Sequence, residues 1–187
     1  IGTLATEAGR QGIITYMMTP DKDYGQLVSD NVFMYRPKHS GGFEVMGIDE
    51  IKAKFNIRST EQVIDMLGLM GDSSDNIPGC PGVGEKTAQK LVAEFDSIEN
   101  LLAHTDQLKG ALKTKVEANR EMITFSKFLA TIKVDVPIKL DMTTLVREEP
   151  DEEKLRKIFE ELEFRTLIDR VLKKSGAPPV SYTHLRA

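Results

Sequence analysis

The period of the apolar positions alternates over the first 47 residues of this chain and is helical from Ile48 onward. Residues 1–11 carry apolar side chains at helical spacing, and Gly12 stops that helix. Ile13–Met18 is a short apolar run with β-branched residues, the pattern of a buried parallel strand, and Thr19-Pro20-Asp21 breaks it. Tyr24–Val28 predicts a short helix and Asn31–Tyr35 a second strand, followed by Pro37 and a loop through Gly41-Gly42. Two strands separated by a helical segment predict a βαβ arrangement. From Ile48 onward the period is helical: Ile48–Phe55, Thr60–Met70, Thr87–Phe95, Ile98–His104, Leu108–Thr131 and Glu152–Leu172, the last breaking near Phe164. Thr60 stands where an N-cap would, and Asp151 after Pro150 is a helix start. Residues 71–84 are rich in turn formers.

These elements predict an α/β fold: a partial parallel sheet at 1–47, a mainly helical part at 48–174, and a linker with a tail at 175–187. The run Val180–Ala187 shows no period and reads as foreign to the fold. The chain opens at Ile1, without Met and directly in an apolar helical pattern, which predicts a domain whose earlier strands lie upstream.

Composition narrows the chemistry. Hydrophobic residues make up 40% and charged residues 29% of 187, enough for a core without staples. Cys80 is the single cysteine, so no intrachain disulfide forms. His39, His104 and His184 lie far apart and give no zinc spacing. No apolar run reaches the roughly 18 residues of a membrane span, and there is no signal-peptide pattern. A reducing cytoplasm is the simplest expectation. The net charge of −4 argues against a broad basic nucleic-acid surface. Any grip on DNA must be local, through backbone amides, a few lysines and bound cations.

One segment has that local character. In Gly79-Cys80-Pro81-Gly82-Val83-Gly84-Glu85-Lys86-Thr87-Ala88, helical patterns flank an apolar residue held between two glycines. Glycine tolerates positive φ and lets another backbone come close. The turn opens into a helix N-terminus, whose free N–H groups and dipole suit a phosphate oxygen. Val83 would plug inward, while Lys86 adds a charge-assisted contact. Glycines at helix ends are more often simple caps; Pro81 before and Lys86-Thr87-Ala88 after turn the balance toward a helix-hairpin-helix that holds DNA backbone without reading bases.

Four aspartates stand beside it: Asp21 and Asp23 after the first strand, Asp72 and Asp75 in the loop that leads to the hairpin. Ligands of open α/β sheets gather at strand carboxyl ends. Either pair alone is more often a turn former. If both converge, like charges ~4 Å apart repel by about 4 kcal/mol at an effective dielectric of about 20. Lys22 alone does not offset that, whereas a hard divalent cation with oxygen ligands does, and magnesium or manganese suits.

Together, Thr19-Pro-Asp-Lys-Asp-Tyr24, Gly71-Asp-Ser-Ser-Asp-Asn-Ile-Pro-Gly79 and Gly82-Val-Gly-Glu-Lys-Thr-Ala88 resemble three successive signatures of the 5′-nuclease family, which includes flap endonucleases. Their spacing resembles the 5′-3′ exonuclease domain of bacterial DNA polymerase I, as does the stretch from Pro150-Asp-Glu-Glu-Lys-Leu-Arg through Leu162-Glu-Phe-Arg-Thr-Leu167. The resemblance covers about residues 1–174. It implies metal-dependent phosphodiester hydrolysis at 5′ ends of duplex, nicked or flapped DNA in replication and repair, with polymerase domains in the same full-length protein. It assigns Asp21, Asp23, Asp72 and Asp75 to the second of two divalent ions, DNA contact to Gly82, Val83, Gly84, Lys86 and Thr87, and a potassium ion to the backbone carbonyls of Gly82 and Gly84. The first ion's ligands and the family's basic helical arch would precede Ile1, so the 187-residue chain alone is expected to be inactive. The competing readings are a non-enzymatic helix-hairpin-helix module and a stand-alone 5′-3′ exonuclease.

Overall fold

The computed structural model describes residues 1–38 and 40–172. The expected foreign tail, Val180–Ala187, lies outside the described residues. The described chain forms two compact units, Ile1–Leu140 and one that begins at Asp141.

In the first unit, helix α1 (Gly2–Arg10) ends at Gly12, whose φ of +76° only glycine adopts freely. Strand β1 (Thr15–Met18) runs parallel to β2 (Val32–Pro37), Thr15 opposite Val32. A 3₁₀ segment, Lys22–Leu27, occupies the place of the expected Tyr24–Val28 helix. The sheet has a third strand that the sequence pattern did not reveal. β3 (Phe43–Met46) returns antiparallel to β2 through a turn closed by Lys38 and Gly42, so the sheet is mixed, in the order β1-β2-β3. Pro37 and the paired glycines read as a loop, but Gly41 and Gly42, at φ +86° and +77°, are what bend the hairpin.

Helices follow: α2 (Ile48–Phe55), α3 (Gln62–Met70), α4 (Glu85–Phe95), α5 (Ile98–Ala103), α6 (Gly110–Ala118) and α7 (Arg120–Ala130). The expected single helix over Leu108–Thr131 is two, broken at Asn119, whose φ of −118° and ψ of 22° leave helical geometry. Thr60 is not the N-cap of α3. It is buried, and its hydroxyl donates to the Val28 carbonyl at 2.9 Å, tying the turn before α3 to the end of the 3₁₀ segment. Apolar residues of sheet and helices share one core, with Met17, Val32, Met34 and Met46 from the strands and Met66, Leu67, Leu91, Ile98 and Ile123 from the helices. The outer face of the sheet is aromatic: Tyr16 stacks on Phe33 at 5.6 Å between ring centroids and Tyr35 on Phe43 at 4.6 Å.

In the second unit, Asp151 caps α8 (Glu152–Glu161) by accepting the Lys154 N–H at 3.0 Å. The helix stops before Glu163, at φ +56°, and a short helical stretch resumes from Arg165, which places the break where it was expected. Among the described residues no helix is long and apolar enough to cross a membrane.

Candidate functional site

Two segments carry the acidic residues. After β1 the chain turns on local hydrogen bonds: the Asp21 N–H donates to Thr19 Oγ1 at 3.1 Å, and the Asp23 N–H to Asp21 Oδ1 at 3.0 Å. These are the bonds that Thr and Asp offer a turn. The second segment is a small closed loop. Asp72 and Ile77 exchange backbone hydrogen bonds at 2.9 and 2.8 Å, with Gly71 and Gly79 flanking the exchange. Both glycines have positive φ, +70° and +63°. A β-carbon on Gly79 would lie 2.4 Å from the Gly71 nitrogen, so the loop closes only because neither residue has one.

Together these segments bring Asp23, Asp72 and Asp75 to one place, each offering a carboxylate oxygen within 4.8 Å of the others. Asp21 stands outside this group. Its carboxylate caps the turn, although its charge is felt at Asp23. Asp72 is buried and accepts from the Lys22 ammonium, the Ser74 N–H and the Ser74 hydroxyl. Lys22 and then Ser74 hold the Asp72 carboxyl down at about 2. Asp23 goes the other way. Burial first, then the charges of Asp21, Asp72 and Asp75, push its pKa up to about 6, against the opposing pull of Lys22. Burial opposes the Lys22 charge, but the hydrogen bond to Asp72 and the surrounding carboxylates outweigh it and raise its pKa.

Asp23 Oδ1 is buried and has no hydrogen-bond partner among the described residues. Three carboxylates that share one lysine, with a buried oxygen left without a partner, form an oxygen donor set short of positive charge, and a hard divalent cation fits it. Asp75 is exposed, whereas Asp23 is half-buried and Asp72 buried. A cleft of about 420 Å³ is lined by residues such as Thr6, Arg10, Ser29 and Glu61 and by none of the three carboxylates.

The hairpin follows directly. The Cys80 N–H donates to the Leu69 carbonyl and the Val83 N–H to the Cys80 carbonyl, at 2.8 and 2.9 Å. Val83 points into the core, 4% exposed. The two glycines differ. Gly82 has φ +76°, as a tight turn requires, whereas Gly84 is extended at φ −95° and serves as the N-cap of α4. A β-carbon on Gly84 would meet nothing within 4 Å, so that backbone is open to approach. Lys86 and Thr87 lie in the first turn of α4.

The linear motifs did not reveal what holds these pieces. Buried Gln26 donates to the carbonyls of Asp23 and Ala130, both at 2.9 Å, and accepts the Ile132 N–H at 2.8 Å. Buried Ser126 accepts the Gly79 N–H at 3.0 Å. The end of α7 therefore fixes both acidic segments, through partners 104 and 47 residues apart in sequence, and a mid-helix serine or turn glutamine carries no local signal of that.

Solved nucleases share this fold. The structure of the phage T5 5′-exonuclease with bound zinc superposes with a TM-score of 0.59 at 22% identity, over 68% of this chain and 46% of that one. The catalytic core of Rad2 gives 0.53 at 17% identity, over 85% and 58%. The fold is that of the 5′-nucleases. Residues 58–153 match the family described as 5′-3′ exonuclease, C-terminal SAM fold. DNA polymerase I of Bacillus subtilis is 43% identical over 178 residues, 94% of this chain and 20% of that protein. The thermostable DNA polymerase I of Thermus filiformis is 39% identical over 180 residues, 96% and 21%. This chain belongs to the 5′-3′ exonuclease family, and it spans about a fifth of the length of the curated relatives it matches.

Proposed function

We propose that this chain is part of the 5′-nuclease region of a bacterial DNA polymerase I, acting on duplex DNA with a nick or a 5′ flap in replication and repair. The observation that carries the reading is the convergence of Asp23, Asp72 and Asp75, one buried oxygen of which has no partner, directly before a glycine hairpin. A module that only bound DNA would gain nothing from carboxylates beside a phosphate site.

In this reading Asp23, Asp72 and Asp75 hold a magnesium or manganese ion, with Asp21 shaping their turn and adding negative charge beside it. Divalent ions bound in pairs supply an activated water and neutralise charge on the attacking and leaving oxygens of a phosphodiester. Lys22 spaces and partly neutralises the carboxylates. Gly84 and the first N–H groups of α4 receive a backbone phosphate, Lys86 adds charge and Thr87 a hydroxyl. Potassium on the carbonyls of Gly82 and Gly84 belongs to the same proposal, as do polymerase domains elsewhere in the protein. A reducing cytoplasm suits Cys80, a buried free thiol.

The test is Asp72→Asn with two readouts. Manganese affinity of this chain, by titration calorimetry, should fall by about 10- to 100-fold or more. Flap cleavage by the full-length protein should fall steeply while flap binding persists. Unchanged manganese affinity would refute the metal assignment and leave a non-catalytic DNA-binding module.

A further inference from the structure

The Gly82 turn has a neighbour that no linear motif places there. Lys115, on α6, lies across it: a β-carbon on Gly82 would come within 2.4 Å of Lys115 Nζ, 3.4 Å of Cε and 3.8 Å of Cδ. The lysine stem thus runs over the bare α-carbon of the turn. The absence of a side chain at Gly82 serves two ends, the positive φ and the room for this lysine. The ammonium is near enough that its field reaches the Cys80 thiol beneath the turn. Lys113, two residues earlier on the same helix, is paired with Glu117 at 3.9 Å. Lys115 is exposed, and its ammonium has neither a hydrogen bond nor an ion pair among the described residues.

We propose that Lys115 is a DNA-phosphate contact of the hairpin, so that the backbone of duplex DNA is held at the Gly82 turn by lysines from two helices, Lys86 of α4 and Lys115 of α6. This rests on the reading of the hairpin given above and extends it to a residue outside the motif. A phosphate that approaches the open Gly84 backbone meets the N–H groups of Glu85 and Lys86 at the start of α4, where the helix supplies no acceptor. The Lys115 ammonium waits two residues back along the turn. Because its stem already packs on the turn, the lysine surrenders less freedom on contact than a lysine in solvent. In a chain of net charge −4, an uncompensated cation fixed at that spot is the local attraction that DNA binding requires.

The experiment is a salt titration of binding to a short, blunt, fluorescein-labelled DNA duplex, read by anisotropy. It uses this chain and its Lys115→Ala, Lys115→Arg, Lys86→Ala and Lys113→Ala variants. Each phosphate contact contributes about 0.9 to the slope of log affinity against log salt, equivalent to about eightfold in affinity at 0.1 M salt. Lys115→Ala and Lys86→Ala should each lose one such step. Lys115→Arg should keep it, and Lys113→Ala should keep it because that charge is already paired. Should Lys115→Ala lower the melting temperature, Lys115→Gln, which retains a stem over Gly82, supplies the slope. An unchanged slope in Lys115→Ala alongside a reduced one in Lys86→Ala overturns the assignment of Lys115 and spares the hairpin. Unchanged slopes in both overturn the hairpin reading and this proposal with it.

Discussion

Gly79 and Gly84 separate two uses of glycine that their sequence contexts make look alike. Gly79 has φ +63°, and a β-carbon there would strike the backbone of Met70 and Gly71 at 2.4 to 2.8 Å. Backbone cannot give way as a side-chain tip can. Gly79→Ala should therefore cost more than about 2 kcal/mol, measured by urea denaturation. Gly84 is extended and faces open space, so Gly84→Val should cost about 1 kcal/mol or less, the difference between a glycine and a valine N-cap. The same substitution should weaken duplex binding to a similar degree for every DNA sequence, since only backbone is touched. Equal binding by folded Gly84→Val would show that no phosphate sits there. The acidic and glycine motifs were legible in the sequence because their local chemistry is unusual. Gln26 and Ser126 were not, because a single side-chain hydrogen bond to distant backbone leaves no periodic or compositional trace.

Among the elements, α7 joins several parts. Besides Ser126 it presents Lys127, which is bonded to Asp65 of α3 at 2.6 Å and to Glu99 of α5 at 2.7 Å. Burial opposes the Lys127 charge, but the bonds to Asp65 and Glu99 outweigh it and hold the pKa above the ordinary 10.5. Burial likewise pushes the Glu99 carboxyl up, yet Lys127 outweighs it and holds Glu99 below 4.5. The signs follow. The raised lysine stabilises the fold below about 10.5 and loses that contribution as pH rises through its folded value. The lowered carboxyl stabilises above about 4.5 and loses its contribution as pH falls through its folded value. Lys127→Met should cost about 1–3 kcal/mol at pH 7, less than a fully buried pair because Glu99 is largely exposed. The deficit relative to wild type should shrink toward pH 3, and thermal melts at the two pH values check it. Helices with a clear apolar face were legible almost to the residue, as in Ile48–Phe55. The third strand was hidden by its own turn glycines, and the α6–α7 break at Asn119 by an apolar pattern that continues across it.

On the scale of the whole molecule, a parallel strand pair ordinarily has both faces covered. Here one face meets the helical core and the other presents Tyr16, Phe33, Tyr35 and Phe43, with Met18 at 70% exposure on β1, which has no paired strand on its outer side among the described residues. Such a face and edge favour association. The chain should self-associate with concentration in sedimentation velocity, and Met18→Lys should reduce this without lowering the melting temperature; a monomer at all concentrations would contradict it. The strand-end turn and the loop of Asp72 are moored to one helix, so whatever loosens that helix misaligns the carboxylates while leaving every acidic residue in place. In a screen for lost activity, changes on the far side of α7 would produce the phenotype of a damaged active centre, and a map of such hits would outline the mooring rather than the chemistry.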